Sequence, residues 1–266
     1  MAKLLYQEAT ELRSIKRVLH QDSANLRNIK KGYYQNGSDL RLVFSSGAEF
    51  SYTGTYDLVG DLASSWVLYL RSSGVLTFFN YGGTTDLFMV GPGGDGGSGS
   101  EYRYGSSIDA RGGAGGNGGQ IITQLSQNFE GNYDIILSTG ETKFGDITAS
   151  KGGGAAGGSG SYAATYVGSD HGKPGSDGFY AFDDSSIDGI KYGPGGGSGG
   201  ARASGGAGGA TGGGNGGASM NAGQNGQGIG AGGGGGGSGN LPEYGDVRPQ
   251  GGTGSVGIVI LRGRSN

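Results

Sequence analysis

Few residues in this 266-residue chain could carry out covalent chemistry. It has no Cys and only two His, His20 and His171. Disulfides, thiolate metal sites and Cys nucleophiles are therefore excluded, and no Ser/His/Asp arrangement can be argued from the spacing. Gly168-Ser169-Asp170-His171-Gly172-Lys173-Pro174 is too short for a phosphate loop and carries Pro where that loop needs Ser or Thr after its Lys. Gly93-Gly94-Asp95-Gly96 lacks the repeats of a calcium-binding β-helix. Asp183-Asp184 could hold a cation, although paired surface aspartates ordinarily do not. Glycan hydrolysis needs two placed carboxylates. Asp and Glu are available, but no pair is marked out. The chain is expected to be no enzyme and to need neither cofactor nor metal.

Binding chemistry is better represented. Patches with substantial side chains interrupt a glycine-rich background: Glu101-Tyr102-Arg103-Tyr104, Tyr162 to Tyr166, Asp170-His171-Gly172-Lys173, Phe179 to Asp184 with Tyr180 and Phe182, Lys191-Tyr192 and Glu243-Tyr244. Tyr with Ser, Gly, Asp and Asn is the palette of antibody binding loops, where Tyr gives broad contact at low entropy cost and small polar residues adapt their hydrogen bonds. Tyr over a sugar face, with Asp or Arg on its hydroxyls, suits a surface glycan. The plainer reading is that these aromatics seal the ends of a glycine-rich bundle or pack on a neighbouring β core.

The background itself constrains what can hold these patches. From Gly91 to Gly254 about one residue in three is Gly, much of it in doublets and triplets. Gly has no side chain to bury and loses the most backbone entropy on folding, so this segment is either disordered or held by backbone-to-backbone contact. Collagen is rejected, because the chain has five Pro and runs such as Gly232 to Gly237 rather than Gly at every third position. The expectation is a bundle of polyglycine II helices, three residues per turn with a rise of about 3.1 Å. Packed side by side, such helices would pair N–H with carbonyl between neighbours. A Cβ is then tolerated only on outward positions, which predicts a Gly-Gly-X texture. Gly112-Gly113-Ala114-Gly115-Gly116-Asn117-Gly118-Gly119 has it, and Ala201 to Ala210 settles into it.

Outside the glycine the chain reads as mainly β. Leu12-Arg13-Ser14-Ile15-Lys16 recurs as Leu26-Arg27-Asn28-Ile29-Lys30, and Leu40-Arg41 starts a third copy, a 14-residue period. Asp22-Ser23-Ala24-Asn25 and Asn36-Gly37-Ser38-Asp39 supply turns between copies. This predicts a small meander with about 10 residues per strand; a helix over residues 1–30 is the alternative. Further strands are expected at Glu49–Tyr52, Trp66–Leu70, Val75–Phe79, Leu87–Val90, Gln120–Leu125, Tyr133–Leu137 and Val256–Arg262. The expected organisation is an N-terminal β-repeat segment over residues 1–47, then a jelly-roll-like β-sandwich over 48–266 with glycine-rich insertions at about 91–119 and 150–254. A disordered glycine tail would have no reason to end in the apolar strand that closes the chain.

Net charge is −3, but residues 1–44 hold eight Lys/Arg against four Asp/Glu, while the rest holds eleven against eighteen. Arg13, Lys16, Arg17, Arg27, Lys30 and Lys31 are either a solvated strand face or a basic docking segment for an acidic partner. Nucleic acid is not expected, because the positive charge is small and no recognition module is visible. No apolar run approaches the roughly 18 residues of a membrane span, and the N-terminus lacks the apolar stretch of a signal peptide. Synthesis in a cytoplasm and release by lysis within a virion are expected.

Ser51-Tyr52-Thr53-Gly54-Thr55-Tyr56, Trp66 in a strand, Ser73 to Phe78, Asp86 to Gly91, Phe144 to Ala149 ahead of a glycine run, and the ending Gly254 to Arg262 together resemble the glycine-rich tail and fibre proteins of bacteriophages. The 14-residue repeat resembles short repeats in tail proteins of gut-bacterial phages. The glycine bundle is similar to that of distal tail-fibre adhesins of T-even-like phages, and to the glycine-rich ectodomain of anaplastic lymphoma kinase receptors. The resemblance implies a virion adhesin that recognises a host-surface glycan or protein, attached to other tail or fibre proteins through its N-terminal segment. A homo-oligomer is expected, with a trimer favoured. The competing expectation is a purely structural virion component, such as a collar, spike or head fibre. An ice-binding protein would need a regular row of Thr or Ala, which the irregular interruptions do not supply.

Overall fold

The computed structural model describes residues 19–22, 25–28, 31–36, 39–45, 49–62, 64–79, 83–104, 107–154, 172, 174–200, 204–238 and 249–264. For residues 19–45 and 100–111 the description is of the backbone alone.

The N-terminal region forms two antiparallel hairpins. β1 (Leu19–Asp22) pairs with β2 (Asn25–Asn28), and β3 (Lys31–Asn36) pairs with β4 (Asp39–Ser45). The closing pairs are Asp22↔Asn25 and Asn36↔Asp39, which bracket the two turns expected from Asp, Asn, Ser and Gly. The strands are four to seven residues long, shorter than expected, and each hairpin is its own two-stranded sheet rather than part of a meander. A helix reaching residue 30 is overturned by β1 and β2, where the turn chemistry outweighs the partial helical spacing of the leucines. Arg27 lies on β2 and Lys31 on β3; Arg13, Lys16, Arg17 and Lys30 lie outside the described residues.

Beyond residue 48 the chain builds two five-stranded antiparallel sheets. In chain order the strands are β5 (Glu49–Tyr52), β6 (Tyr56–Gly60), β7 (Ser65–Leu70), β8 (Gly74–Phe79) and β9 (Thr84–Val90), then the hairpin strands β10 (Ser100–Tyr104) and β11 (Ser107–Arg111). They continue with β12 (Ile121–Gln127), β13 (Gly131–Leu137), β14 (Glu141–Phe144), β15 (Ile147–Ser150), the short β16 (Phe179–Tyr180) and β17 (Lys191–Tyr192), and β18 (Ile258–Arg264). The first sheet has the order β12-β9-β18-β7-β6 and the second β15-β14-β13-β8-β5. Consecutive strands repeatedly change sheet: β5 to β6, β7 to β8, β8 to β9 and β12 to β13 all cross. The last strand therefore inserts at the centre of the first sheet, between β9 and β7, in full register with both.

Both sheets feed one apolar core. Trp66, Leu68, Leu70, Leu87, Met89, Val259 and Leu261 enter it from the first sheet; Leu76, Phe78, Ile135, Phe144 and Ala149 enter from the second, with Phe129 between. Phe129 stacks on Phe78 and meets Phe144 edge-on at 4.9 Å. Each fully buried Leu or Phe is worth about 1.5–3 kcal/mol. Gly263 in β18 is required by close approach, since a Cβ there would lie 2.1 Å from the Trp66 indole.

The strands expected from the apolar runs are all present. β6, the β14–β15 hairpin and the β16–β17 pair were not expected. β6 is exposed along its whole length and so lacks the alternation that marks a half-buried strand. The β14–β15 hairpin is short and turns at Gly145, whose φ is +55°.

The glycine-rich segments leave the ends of these strands and lie outside any helix or sheet. Their hydrogen bonds run between segments, with a period of three. Gly91, Gly94 and Gly97 donate to the carbonyls of Gln120, Asn117 and Ala114, while Gly93, Gly96 and Gly99 donate to those of Ser255, Gly252 and Pro249. The first bond of each set continues a ladder of the first sheet, β9 with β12 and β9 with β18, so one backbone network runs from sheet into glycine lattice without a break.

The run Gly232–Gly237 occupies the centre of that lattice. Gly232 and Gly235 donate to Pro194 and Gly197, Gly233 and Gly236 to Gly94 and Gly97, and Gly234 and Gly237 to Gln224 and Asn221. It accepts from Gly113 and Gly116, from Gly214 and Gly217, and from Gly252. Six segments thus surround it, and every direction a Cβ could take is closed. An added Cβ would lie 1.9–2.0 Å from the backbone oxygen of Gly116, Gly252, Asn215, Gly113, Pro249 or Ala218 along the run. Segments at the surface have one open side and show Gly-Gly-X instead: Ala207, Ala210 and Asn215 are exposed, while Gly206, Gly209, Gly214 and Gly217 are buried.

Candidate recognition site

The segments that touch the sheets do so at one end, where the backbone N–H groups of Gly91, Gly119, Gly193 and Gly230 donate to Gln120, Gly230, Ile229 and Val256. The opposite end is defined by bonds from Gly99 to Pro249, Ser238 to Gly200, Gly237 to Asn221, Gly113 to Gly236 and Gly172 to Ser204. There the chain passes from Gly99 into the β10–β11 hairpin and returns at Gly112. The hairpin is in simple register, Tyr102↔Asp109, Arg103↔Ile108 and Tyr104↔Ser107. Tyr102, Arg103 and Tyr104 are thus carried on β10 at the end of the lattice away from the sheets. Tyr162, Tyr166, Asp170, His171 and Tyr244 lie outside the described residues. The described residues that flank the first group are Gly154 and Gly172, and those that flank Tyr244 are Ser238 and Pro249.

The patch from Phe179 to Tyr192 has a different place. It packs on the outer face of the first sheet and forms a second core with Tyr69, Phe88, Val90, Ile258 and Ile260. Tyr192 is fully buried, so it is corrected from a surface contact to a core residue. Its ring meets Phe88 edge-on at 5.6 Å and its hydroxyl donates to Asp188 Oδ2 at 2.6 Å. Phe182 also lies on Phe88, 5.6 Å between centroids, with the Arg262 guanidinium 4.3 Å over its ring. Phe182 and Asp183 adopt φ of 54° and 55°, a conformation costly for non-Gly residues and here held by packing of the Phe182 ring. Tyr180 sits beside Lys191, whose ammonium is 5.6 Å over the ring. Of these aromatics only Phe179, 46% exposed, is open to solvent. For this patch the sealing role describes the geometry.

Ionic groups around this cover are paired. Arg262 donates to Asp86 Oδ2 from Nε at 2.9 Å and Nη2 at 2.7 Å, and lies 3.7 Å from Asp184. Asp184 in turn accepts from the Ser186 backbone N–H and hydroxyl, so of the Asp183-Asp184 pair Asp184 is engaged in a turn and an ion pair, while Asp183 is exposed. Asp177 accepts from the Ala210 N–H at 2.8 Å and from Lys191 at 3.0 Å, and both bonds, the backbone one foremost, lower its pKa. Asp95 braces the lattice, accepting from the Gly254 N–H at 2.9 Å and from Lys151 at 2.7 Å. Burial pushes its pKa up, but these two bonds and the Lys151 charge outweigh that and leave it lowered. Among the described residues no group of three or more His, Asp or Glu could hold a metal ion, and no helix is long and apolar enough to cross a membrane.

Burial dominates the tyrosine chemistry. It raises Tyr69 to about 12, with help from the Asp188 charge and hydrogen bond, and Tyr52 to about 12. Tyr192 is raised further, by burial first and then by Asp188. These phenols are neutral structural donors, not acid–base groups for work near neutral pH.

Tyr69, Phe88, Asp86 and Arg262 were not singled out from the sequence. A signal was present: Leu87-Phe88-Met89-Val90 and Ile258-Val259-Ile260-Leu261 are apolar without alternation, which marks strands buried on both faces. A second layer was therefore needed, and Phe179–Tyr192 was the aromatic patch able to supply it.

No protein-family model matches this chain, and no curated protein matches it in sequence.

Proposed function

We propose that this chain is a bacteriophage tail or fibre adhesin: a jelly-roll-like β-sandwich whose inserted glycine segments form a polyglycine II helix bundle, presenting recognition loops at the end remote from the sandwich. The observation that carries the reading is the period-three hydrogen bonding around Gly232–Gly237, which fixes many short segments in one backbone lattice. Recognition residues are commonly displayed on loops positioned by such a rigid scaffold. The β10–β11 hairpin, with Tyr102, Arg103 and Tyr104, and the segments bearing Tyr162, Tyr166, Asp170, His171 and Tyr244 then supply the aromatic and polar contacts for a host-surface glycan or protein. The basic N-terminal repeats join other virion proteins, and the chain acts as a virion component without catalysis.

The test is binding of the labelled full chain to intact bacterial cells and to their stripped envelope glycans. Saturable binding, competed by free glycan and reduced at least about tenfold by Tyr102→Ala with Tyr104→Ala, is the expected result; losing aromatic contact residues at an interface commonly costs that much. Absence of binding at high micromolar protein, with the fold intact, would leave the purely structural virion role.

A further inference from the structure

We infer that Asn215 and Asn225 are self-modification sites of the glycine lattice. Deamidation at each is gated by hydrogen bonds to a neighbouring segment, and once it has occurred the segment cannot return in register. The inference does not depend on the adhesin reading. Asn followed by Gly is the pair most open to this reaction, because no Cβ shields the Gly nitrogen and its backbone turns freely. The sequence holds four such pairs, at Asn36, Asn117, Asn215 and Asn225. Gly37 lies outside the described residues, and Asn117 is only 3% exposed. Asn215 and Asn225 are exposed on the lattice surface, where water reaches them.

The reaction is internal to the chain. The Gly nitrogen loses its proton and bonds to the Asn side-chain carbon Cγ. The Cγ–Nδ2 bond breaks, and Nδ2 leaves with that proton as ammonia. Water then opens the cyclic imide at either carbonyl, giving Asp or isoaspartate. One water is consumed and one ammonia released, with no oxidant or cofactor.

Both reacting groups are held at both sites. At Asn225 a single residue, Thr253, engages the two of them: its N–H donates to Asn225 Oδ1 at 2.9 Å, and its carbonyl accepts the Gly226 N–H at 2.8 Å. At Asn215 the neighbouring segment does the same. Gly208 N–H donates to Asn215 Oδ1 at 2.8 Å, and the Gly206 carbonyl accepts the Gly216 N–H at 2.8 Å. Asn215 Nδ2 also donates to Gln224 Oε1 at 2.9 Å. An amide that is donating resists losing its proton, and a clamped carboxamide cannot swing onto the backbone nitrogen. A docked segment is therefore protected and a detached one is not, so local opening is the gate.

The products explain why the step is one-way. Isoaspartate routes the main chain through Cβ and lengthens it by one atom. The lattice is in step by threes: Gly223 and Gly226 donate to Gln250 and Thr253, and Gly214 and Gly217 to Gly232 and Gly235. An extra main-chain atom after Asn215 or Asn225 puts the following bonds out of step. The Asp product at 215 lacks the donor to Gln224. It also places a carboxylate within residues 203–242, which contain no Asp, Glu, Lys or Arg. The lattice thus records its own opening.

The test follows the full-length chain in mildly alkaline buffer by fragmentation mass spectrometry. It is compared with the same chain in urea at which amide protection of Gly232–Gly237 is lost, and with a synthetic peptide of residues 221–228. Asn225 should convert at matching rates in the peptide and the unfolded chain, and at least about tenfold more slowly in the folded chain, where reaction awaits opening. Asn215 should show the same contrast between folded and unfolded chain. Asn221, exposed in the same segment but followed by Ala222, should lag Asn225 in the peptide and the unfolded chain. Thr253→Pro removes the N–H held by Asn225 and should speed that site by about two- to tenfold, the contribution of one hydrogen bond. Conversion in the folded chain as fast as in urea would overturn the gate. Absence of conversion in urea would overturn the sites, and an Asn225 rate unmoved by Thr253→Pro would overturn the clamp.

Discussion

The two sheets and the glycine lattice are stabilised by opposite means. In the sheets, side chains such as Leu87, Phe144 and Leu261 fill a shared interior, and the stabilising quantity is apolar area removed from water. In the lattice, carbonyl and amide groups are the interior, and side chains are what must be kept out. The difference teaches that burial alone does not define a core. Gly234 is as enclosed as Leu87, yet one requires the absence of a Cβ and the other requires a large side chain.

That contrast can be broken most forcefully at the lattice centre. Gly234→Ala would set a Cβ 1.9 Å from the Asn215 carbonyl oxygen, so two backbone segments must part. The expected loss exceeds about 3 kcal/mol, above ordinary overpacking. Amide exchange should show the protection of Gly232–Gly237 collapsing. If Gly234→Ala proved as mild as a surface change, the backbone would not be the core there. Leu87→Ala, read by urea unfolding, is expected to cost about 2–5 kcal/mol through lost burial and a residual cavity.

Smaller effects sharpen the comparison. Arg262→Ala removes both hydrogen bonds to Asp86, whose side chain is only 14% exposed, and uncovers the Phe182 ring. A cost of about 1.5–3 kcal/mol is expected for bonds to a charged group. Alkaline titration should also discriminate. Tyr52 and Tyr69 have folded pKa values of about 12 against 10.0, and a raised pKa means that the folded state holds the proton more tightly. Their contribution is complete below pH 10 and is lost as pH rises from 10 through 12. Absorbance at alkaline pH should accordingly show these phenols ionising late, together with unfolding; ordinary ionisation near pH 10 in a still-folded protein would contradict the burial. At the small end, Ala207→Ser at an outward lattice position should change stability by no more than about 0.5 kcal/mol in thermal unfolding.

Much of the fold could be read along the chain, for identifiable reasons. β5, β7, β8, β9, β12, β13 and β18 announce themselves as short apolar runs between turn residues. The turns at 22–25 and 36–39 are visible in Asp, Asn and Gly. Gly-Gly-X texture forecast that Ala207 and Ala210 face out, but it failed at Asn117, which is buried and donates its N–H to Gly153 of a further segment. Less was legible in the candidate site. Tyr102 and Tyr104 belong to a hairpin at the far end of the lattice, whereas Tyr192 and Phe182 belong to the cover of the first sheet. Both patches are short, aromatic and flanked by glycine, so composition cannot separate them. What separates them is whether an apolar strand face waits opposite, and Phe88 and Ile260 are distant in sequence from the residues that cover them.

Local chemistry by itself determined the strand-forming segments, the turns, the exclusion of thiol chemistry and the need for backbone-to-backbone contact wherever side chains are missing. These follow from each residue's own conformational freedom and burial value. Tertiary structure alone decided that β18 would insert between β9 and β7, that Gly232–Gly237 would be the central lattice segment with six neighbours, and that one aromatic patch would be buried while another would be carried on the β10–β11 hairpin. Those outcomes depend on which backbone groups and apolar faces meet across long stretches of chain, and hydrogen bonding between segments carries no signature in the residues on either side of it.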